Sequence, residues 1–168
     1  MRSAPNVSPA IIDTLYEEAL CLTEAARAEF DMASNTQEAV WAVSDLGQPA
    51  IGTDARTKAR VALSSEALRT TTRMMHAMAW LLNHKAYFRG DLSAFELHRT
   101  GRLPSPQKAA SAAEREALSE HAKLVVDATC AFYNRLTRLD EAFQRRAEPQ
   151  PPEIERLYSR IDRAFAAH

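Results

Sequence analysis

Residues that break helices are scarce in this chain and tightly grouped. Only four glycines and eight prolines occur in 168 residues. They fall into four short zones: Pro5 and Pro9; Gly47, Pro49 and Gly52; Gly90, Gly101, Pro104 and Pro106; Pro149, Pro151 and Pro152. Helices exclude Gly and Pro most strongly, so the long stretches between these zones read as helices. No segment alternates apolar and polar residues with β-branched enrichment, which leaves no strand to predict. No apolar run approaches the roughly 20 residues that span a bilayer. The first twenty residues carry acids early and lack an apolar core, unlike a signal peptide. A cytoplasmic location is expected, without membrane association.

Other absences narrow the chemistry. The two cysteines, Cys21 and Cys130, have neither CxxC spacing nor a histidine at metal-ligand spacing. They read as two reduced, buried thiols. The residues three before the five histidines are Arg73, Leu81, Phe95, Leu118 and Phe165. The Glu-x-x-His pairs of di-metal bundles are therefore missing. The scattered glycines leave no phosphate-binding loop. No catalytic residue, metal or cofactor is assigned. A net charge of −1 makes no case for nucleic acid. The charge is uneven, however. Residues 10–46 hold eight acids and one arginine, while 53–89 hold seven bases and two acids. These two segments are expected to be neighbours.

The chain then reads as an all-α bundle of three long helices with a short C-terminal amphipathic helix. Its bundle domain covers residues 8–146, and 147–168 form a linker and terminal helix. The first helix is expected to begin at Ser8, an N-cap before Pro9. Its seam is Ile12, Leu15, Ala19, Leu22, Ala26 and Phe30, and it is expected to end near residues 33–35. The following TQEAVWAVSDLG is ambiguous. One reading is a short helix capped by Asn35 and Glu38, with Val40, Trp41 and Val43 folded down as a flap. The third long helix is expected to open at a capping box, Ser111 with Glu114. Its seam is Leu118, Ala122, Val125, Thr129, Phe132, Leu136, Leu139 and Phe143. Another capping box, Ser93 with Glu96, opens a helix of one or two turns carrying Phe95 and Leu97. Gly90 closes the helix before it.

That second long helix, about 54 Å from Asp54 to Arg89, organises the rest. Val61, Leu68, Met75 and Leu82 recur every seven residues, with the smaller Ser65, Thr72, Ala79 and Ala86 four after each. This is a seam another helix can approach closely. Arg69, Arg73, His76, Trp80, Asn83 and Tyr87 share a second face. Trp and Tyr there call for cover, which suggests the middle of a bundle or of a homodimer. The rival is a monomer in which the flap or the C-terminal helix supplies the cover. The two arginines read as ion-pair partners or as part of a docking patch. Thr71 and Thr72 suit close helix packing. His76 raises a separate alternative, a phosphotransfer or signalling bundle in which it relays phosphate.

The run from Ser64 to Ser93, SSEALRTTTRMMHAMAWLLNHKAYFRGDLS, closely resembles the signature of the regulator-of-CtrA-degradation family of alphaproteobacteria. Glu66, Arg69, Thr71, Thr72, Arg73, Met75, Trp80, Leu81, Leu82, Ala86 and Gly90 match its pattern. LYEEALCLTEAARAEFD and FYNRLTRLD look like that family's first and last helices. Ala79, His76 and Asp91 depart from its usual Ser, Gln and Glu. The resemblance implies a non-enzymatic, dimeric three-helix adaptor. It would act with a response-regulator-primed ClpX protease, a co-adaptor and transcription-factor cargo, in the cytoplasm and at the cell pole. The amphipathic tail 153–168 carries Leu157, Tyr158 and Ile161 on one face. As a helix of about 16 residues it is marginal alone. It either docks back on the bundle, where it is part of the core, or serves as a handle for a partner with those three residues as anchors.

Overall fold

The computed structural model describes residues 8–44 and 53–147. Among them there are five helices and no strand: α1 (Pro9–Ser44), α2 (Thr53–Arg89), α3 (Ala94–Thr100), α4 (Ala112–Glu116) and α5 (Glu120–Ala147). The all-α class is as expected. The three long helices carry the bundle, and their order follows from the contacts that pin them. Lys85 near the end of α2 meets Asp13 near the start of α1 at 2.5 Å, so α1 and α2 are antiparallel. Glu29 of α1 reaches Ser119 and His121 at the start of α5, while Glu18 pairs with Arg135 further along it. Thus α1 and α5 are antiparallel too, and α2 and α5 run parallel. The acidic first helix and basic second helix are neighbours, which places opposite charges side by side.

The core forms where the expected seams of α1 and α5 meet α2. Ile12, Leu15 and Ala19 pack with Phe132, Tyr133, Leu136 and Leu139 around Met74, Ala77, Trp80 and Leu81. Ser8 caps α1 through its Oγ, which accepts from the Ile11 N–H. Both capping boxes are present, at Ser93–Glu96 and Ser111–Glu114. Gly90 ends α2 at φ +84°, in the left-handed region that glycine enters without steric cost.

Three boundaries differ from expectation. Helix α1 does not stop at 33–35 but continues to Ser44. Nothing in that stretch removes a backbone donor, and low propensity alone is a weak stop signal. The separate capped flap is therefore replaced by continuous helix, and the side chains of Val40, Trp41 and Val43 lie outside the described residues. The capping box at Ser111 opens only the five-residue α4. The chain then turns at 117–119, and Ser119 caps α5 by accepting from the Ala122 N–H at 3.0 Å. Cys21 is exposed rather than buried; Cys130 is half-buried, and both thiols are free. The tail residues Leu157, Tyr158 and Ile161 lie outside the described residues.

Candidate functional site: the two faces of α2

The largest correction concerns which side of α2 faces inward. The seven-residue series was expected to be a packing seam. In the protomer Val61, Leu68, Met75 and Leu82 are 57, 68, 64 and 49% exposed. Ala79 is exposed as well, and Ser65, Thr72 and Ala86 are half-buried. Thr71 is exposed, and Thr72 donates to the Leu68 carbonyl of its own helix. The threonine that packs between helices is Thr70, fully buried.

The inward side carries a polar clamp instead. Glu66, with only 3% of its side chain exposed, lies within 3.3 Å of Arg69 and 3.5 Å of Arg73. Arg73 donates to the Thr129 hydroxyl of α5 at 2.9 Å and to Thr70 at 3.3 Å. The Thr129 hydroxyl in turn donates to the Val126 carbonyl at 2.9 Å. Arg69 reaches across to Glu114 of α4 at 3.1 Å. The carboxyl of Glu114 is held down to about 2, by the Ser111 backbone N–H and hydroxyl first and by Arg69 after them. Both arginines thus act as ion-pair partners inside the fold. Buried charge is tolerated here because each group has a partner.

Two helical turns beyond the clamp, Trp80 is 2% exposed. Its Nε1–H donates to Asp140 of α5 at 2.9 Å. The other carboxylate oxygen of Asp140 accepts the Leu103 N–H at 3.1 Å. The Tyr133 hydroxyl donates to the Pro104 carbonyl at 2.6 Å. Together these contacts fasten the irregular segment 101–111 to α5. His84 lies on the same side, fully buried, with its ring 3.8 Å from Trp80 and 5.1 Å from Phe143 between centroids. Its Nδ1–H donates to the Trp80 carbonyl, and its Nε2 has no partner among the described residues. Burial pushes the pKa of His84 down.

Of the six residues expected on the second face, Trp80 is internal and Arg73 nearly so. Arg69, His76, Asn83 and Tyr87 are half-buried. Tyr87 stacks edge-on to Phe143 at 6.1 Å. The cover expected for this face comes from α5 of the same chain. Asp140 was missed, and Thr129 was read only as a member of the α5 seam. A signal for Asp140 was present: it sits at a core position beside Leu136, Leu139 and Phe143, where an acid needs a buried donor.

Two apolar grooves flank this arrangement. One, of about 600 Å³, runs between α1 and α2 and is walled by Phe30, Met74, Met75, Met78 and Leu82. It continues directly into the exposed face of α2. The other, of about 900 Å³, lies between the start of α1 and the end of α5. Among the described residues no group of three His, Cys, Asp or Glu is placed to hold a metal ion, and no helix is long and apolar enough to cross a membrane.

The architecture is thus that of a helical-bundle protein whose central helix is locked on one side and left apolar on the other. Residues 3–165 match the family model described as a protein of unknown function, DUF1465, and the chain belongs to that family. No curated protein and no solved structure matches it.

Proposed function

We propose that the chain is a non-enzymatic adaptor of regulated proteolysis, of the kind that the regulator of CtrA degradation represents. It works as a homodimer, bringing cell-cycle regulators to ClpXP through protein–protein contacts. The observation that carries this reading is the apolar face of α2. A heptad series of four large side chains is left open on a helix whose other side is clamped by Glu66, Arg73 and Asp140. The series is too regular and too apolar for a solvated surface. A second copy supplies the same alternation of large and small residues, so an α2-to-α2 contact is self-complementary about a twofold axis. The resemblance across Ser64–Ser93 supplies the kind of partner.

Light scattering tests the assembly. The native protein is expected at twice the 18.7 kDa of the chain, and Leu68→Glu with Met75→Glu is expected to halve that mass while leaving the helical spectrum intact. A native mass near that of one chain at micromolar concentration would refute the dimer. Co-purification from the source cell tests the role. Recovery of the ClpX unfoldase, a response regulator or a transcription factor supports it, and retention of none of these removes it.

A further inference from the structure

The second groove has a geometry that selects its occupant. Its floor is Leu15, Leu139 and Ala142, all under a tenth exposed, with Ile11 on the rim at 38%. Arg135, Arg138, Glu141 and Arg145 line it from α5, and Glu18 lines it from α1. Arg135 pairs with Glu18, yet its Nε is buried with no partner among the described residues. Because α1 and α5 are antiparallel, the groove opens at the last turns of α5. The chain leaves the described structure there, at Ala147, with 21 residues still to come.

Those residues fit the groove in length, pattern and charge. From Glu148 to Pro152 there are five residues, a count within the two to eight usual between packed helices. The stripe from Ile154 to Phe165, taken as helix, is about 16 Å long, and the groove from Arg145 back to Arg135 is about 15 Å. Three acids, Glu153, Glu155 and Asp162, share the stretch with Arg156, Arg160 and Arg163. They answer a rim of three arginines and two glutamates. In an antiparallel return Glu153 and Glu155 come near Arg145, and Asp162 comes near Arg135 and Arg138.

We propose that residues 153–168 seat in the α1–α5 groove of their own chain, with Leu157 and Ile161 on its apolar floor. The seat is independent of the adaptor role, and it sets a condition on it. Any partner that takes Leu157, Tyr158 and Ile161 as a handle must first lift the tail from this groove.

Hydrogen exchange read by mass spectrometry on the full chain tests the seat without any partner. Amides in 153–168 are expected to exchange about tenfold more slowly than in an unpacked helix. The protection should vanish both in Ile11→Glu, which spoils the rim, and in Leu157→Glu with Ile161→Glu, which spoils the tail. Ile11 is partly exposed, so the bundle's own amides serve as the control that it stays folded. Three results overturn the proposal. The first is a tail that exchanges freely in the native chain. The second is protection that rises with protein concentration, the mark of a second copy's tail. The third is protection unmoved by Ile11→Glu while the amides of residues 1–7 lose theirs, the mark of the N-terminus in the groove.

Discussion

Asp140 joins three parts of the molecule, and removing it tests the clamp directly. Its carboxylate, 7% exposed, holds the Trp80 indole N–H and the Leu103 backbone N–H on separate oxygens. In Asp140→Ala the buried indole N–H and the half-buried Leu103 N–H both lose their acceptor. Each orphaned donor costs about 1–3 kcal/mol. Taking away a buried carboxylate also relieves its desolvation, which offsets part of that. The net loss is expected at about 2–4 kcal/mol. At roughly 3 °C per kcal/mol for a domain of this size, the melting temperature should fall by about 6–12 °C.

The attribution to Trp80 needs a double-mutant cycle, because Asp140→Ala alone also releases Leu103. Trp80→Phe removes the donor and leaves Asp140 its bond to Leu103. If the indole bond is real, Asp140→Ala should cost less in the Trp80→Phe background by about 1–2 kcal/mol. Urea unfolding followed by far-ultraviolet circular dichroism, at one protein concentration, measures all four corners. Strict additivity to within about 0.3 kcal/mol would mean that the two side chains do not interact. The argument that Trp80 is an internal strut would then fail.

The other expectations are shorter. His84 has a folded pKa pushed below its ordinary 6.5 by burial. The unfolded chain therefore binds a proton there first, and stability should decline as pH falls below 6.5; His84→Gln should flatten that limb in a pH series of unfolding curves. Glu114 acts in a lower window. Its carboxylate contribution is present above the ordinary 4.5 and is lost as pH falls toward about 2, so Glu114→Gln should lower stability on the plateau above 4.5 and flatten the fall between 4.5 and 2. A methyl group at Gly101 would sit 2.5 Å from the Leu97 carbonyl oxygen, so Gly101→Ala should cost about 1–3 kcal/mol in the same unfolding assay. Incubation with a phosphorylated response regulator should leave no acid-labile phosphate on this chain; phosphate that disappears in His76→Ala would favour the phosphotransfer alternative.

What was legible in the sequence followed from where the chain cannot be helical. The Gly and Pro zones, Ser8, Gly90 and the two capping boxes fixed most helix ends, because each works through a local backbone group. The seams of α1 and α5 were legible because their apolar residues occupy one side only. Helix α2 was not, because Val, Leu and Met lie on one face and Met, Trp and Leu on another. Counting apolar residues cannot choose between such faces. The choice was made by Glu66, Thr70 and Arg73, which are polar but mutually satisfied once Thr129 arrives from a helix about sixty residues away. The continuation of α1 past residue 35 was hidden for the opposite reason. Its polar residues are weak helix formers without being breakers, and only neighbouring structure decides such a case.

The two faces of α2 make different demands on the same stretch of sequence, and this bears on how any variant there should be read. Glu66, Arg73 and Trp80 alternate along the helix with Leu68, Met75 and Leu82, so neighbours two residues apart serve different purposes. A substitution at the first set exposes or orphans buried polar groups, and lowers stability before it touches any partner. A substitution at the second set changes a surface already in water. Leu68→Glu should leave the unfolding curve of a dissociated chain nearly unchanged, since an exposed leucine has little folding energy to lose. Loss of a partner with unchanged protomer stability therefore points to the open face. Loss of a partner together with a lower melting temperature points to the clamp, and says nothing about where the partner binds. The matches to the adaptor signature divide in this way too. Glu66, Arg69, Arg73, Trp80 and Leu81 build the bundle, while Met75 and Leu82 lie open on its surface. Resemblance through the first group argues for a shared fold. Only the second group, with Leu68 and Val61 beside it, bears on a shared partner.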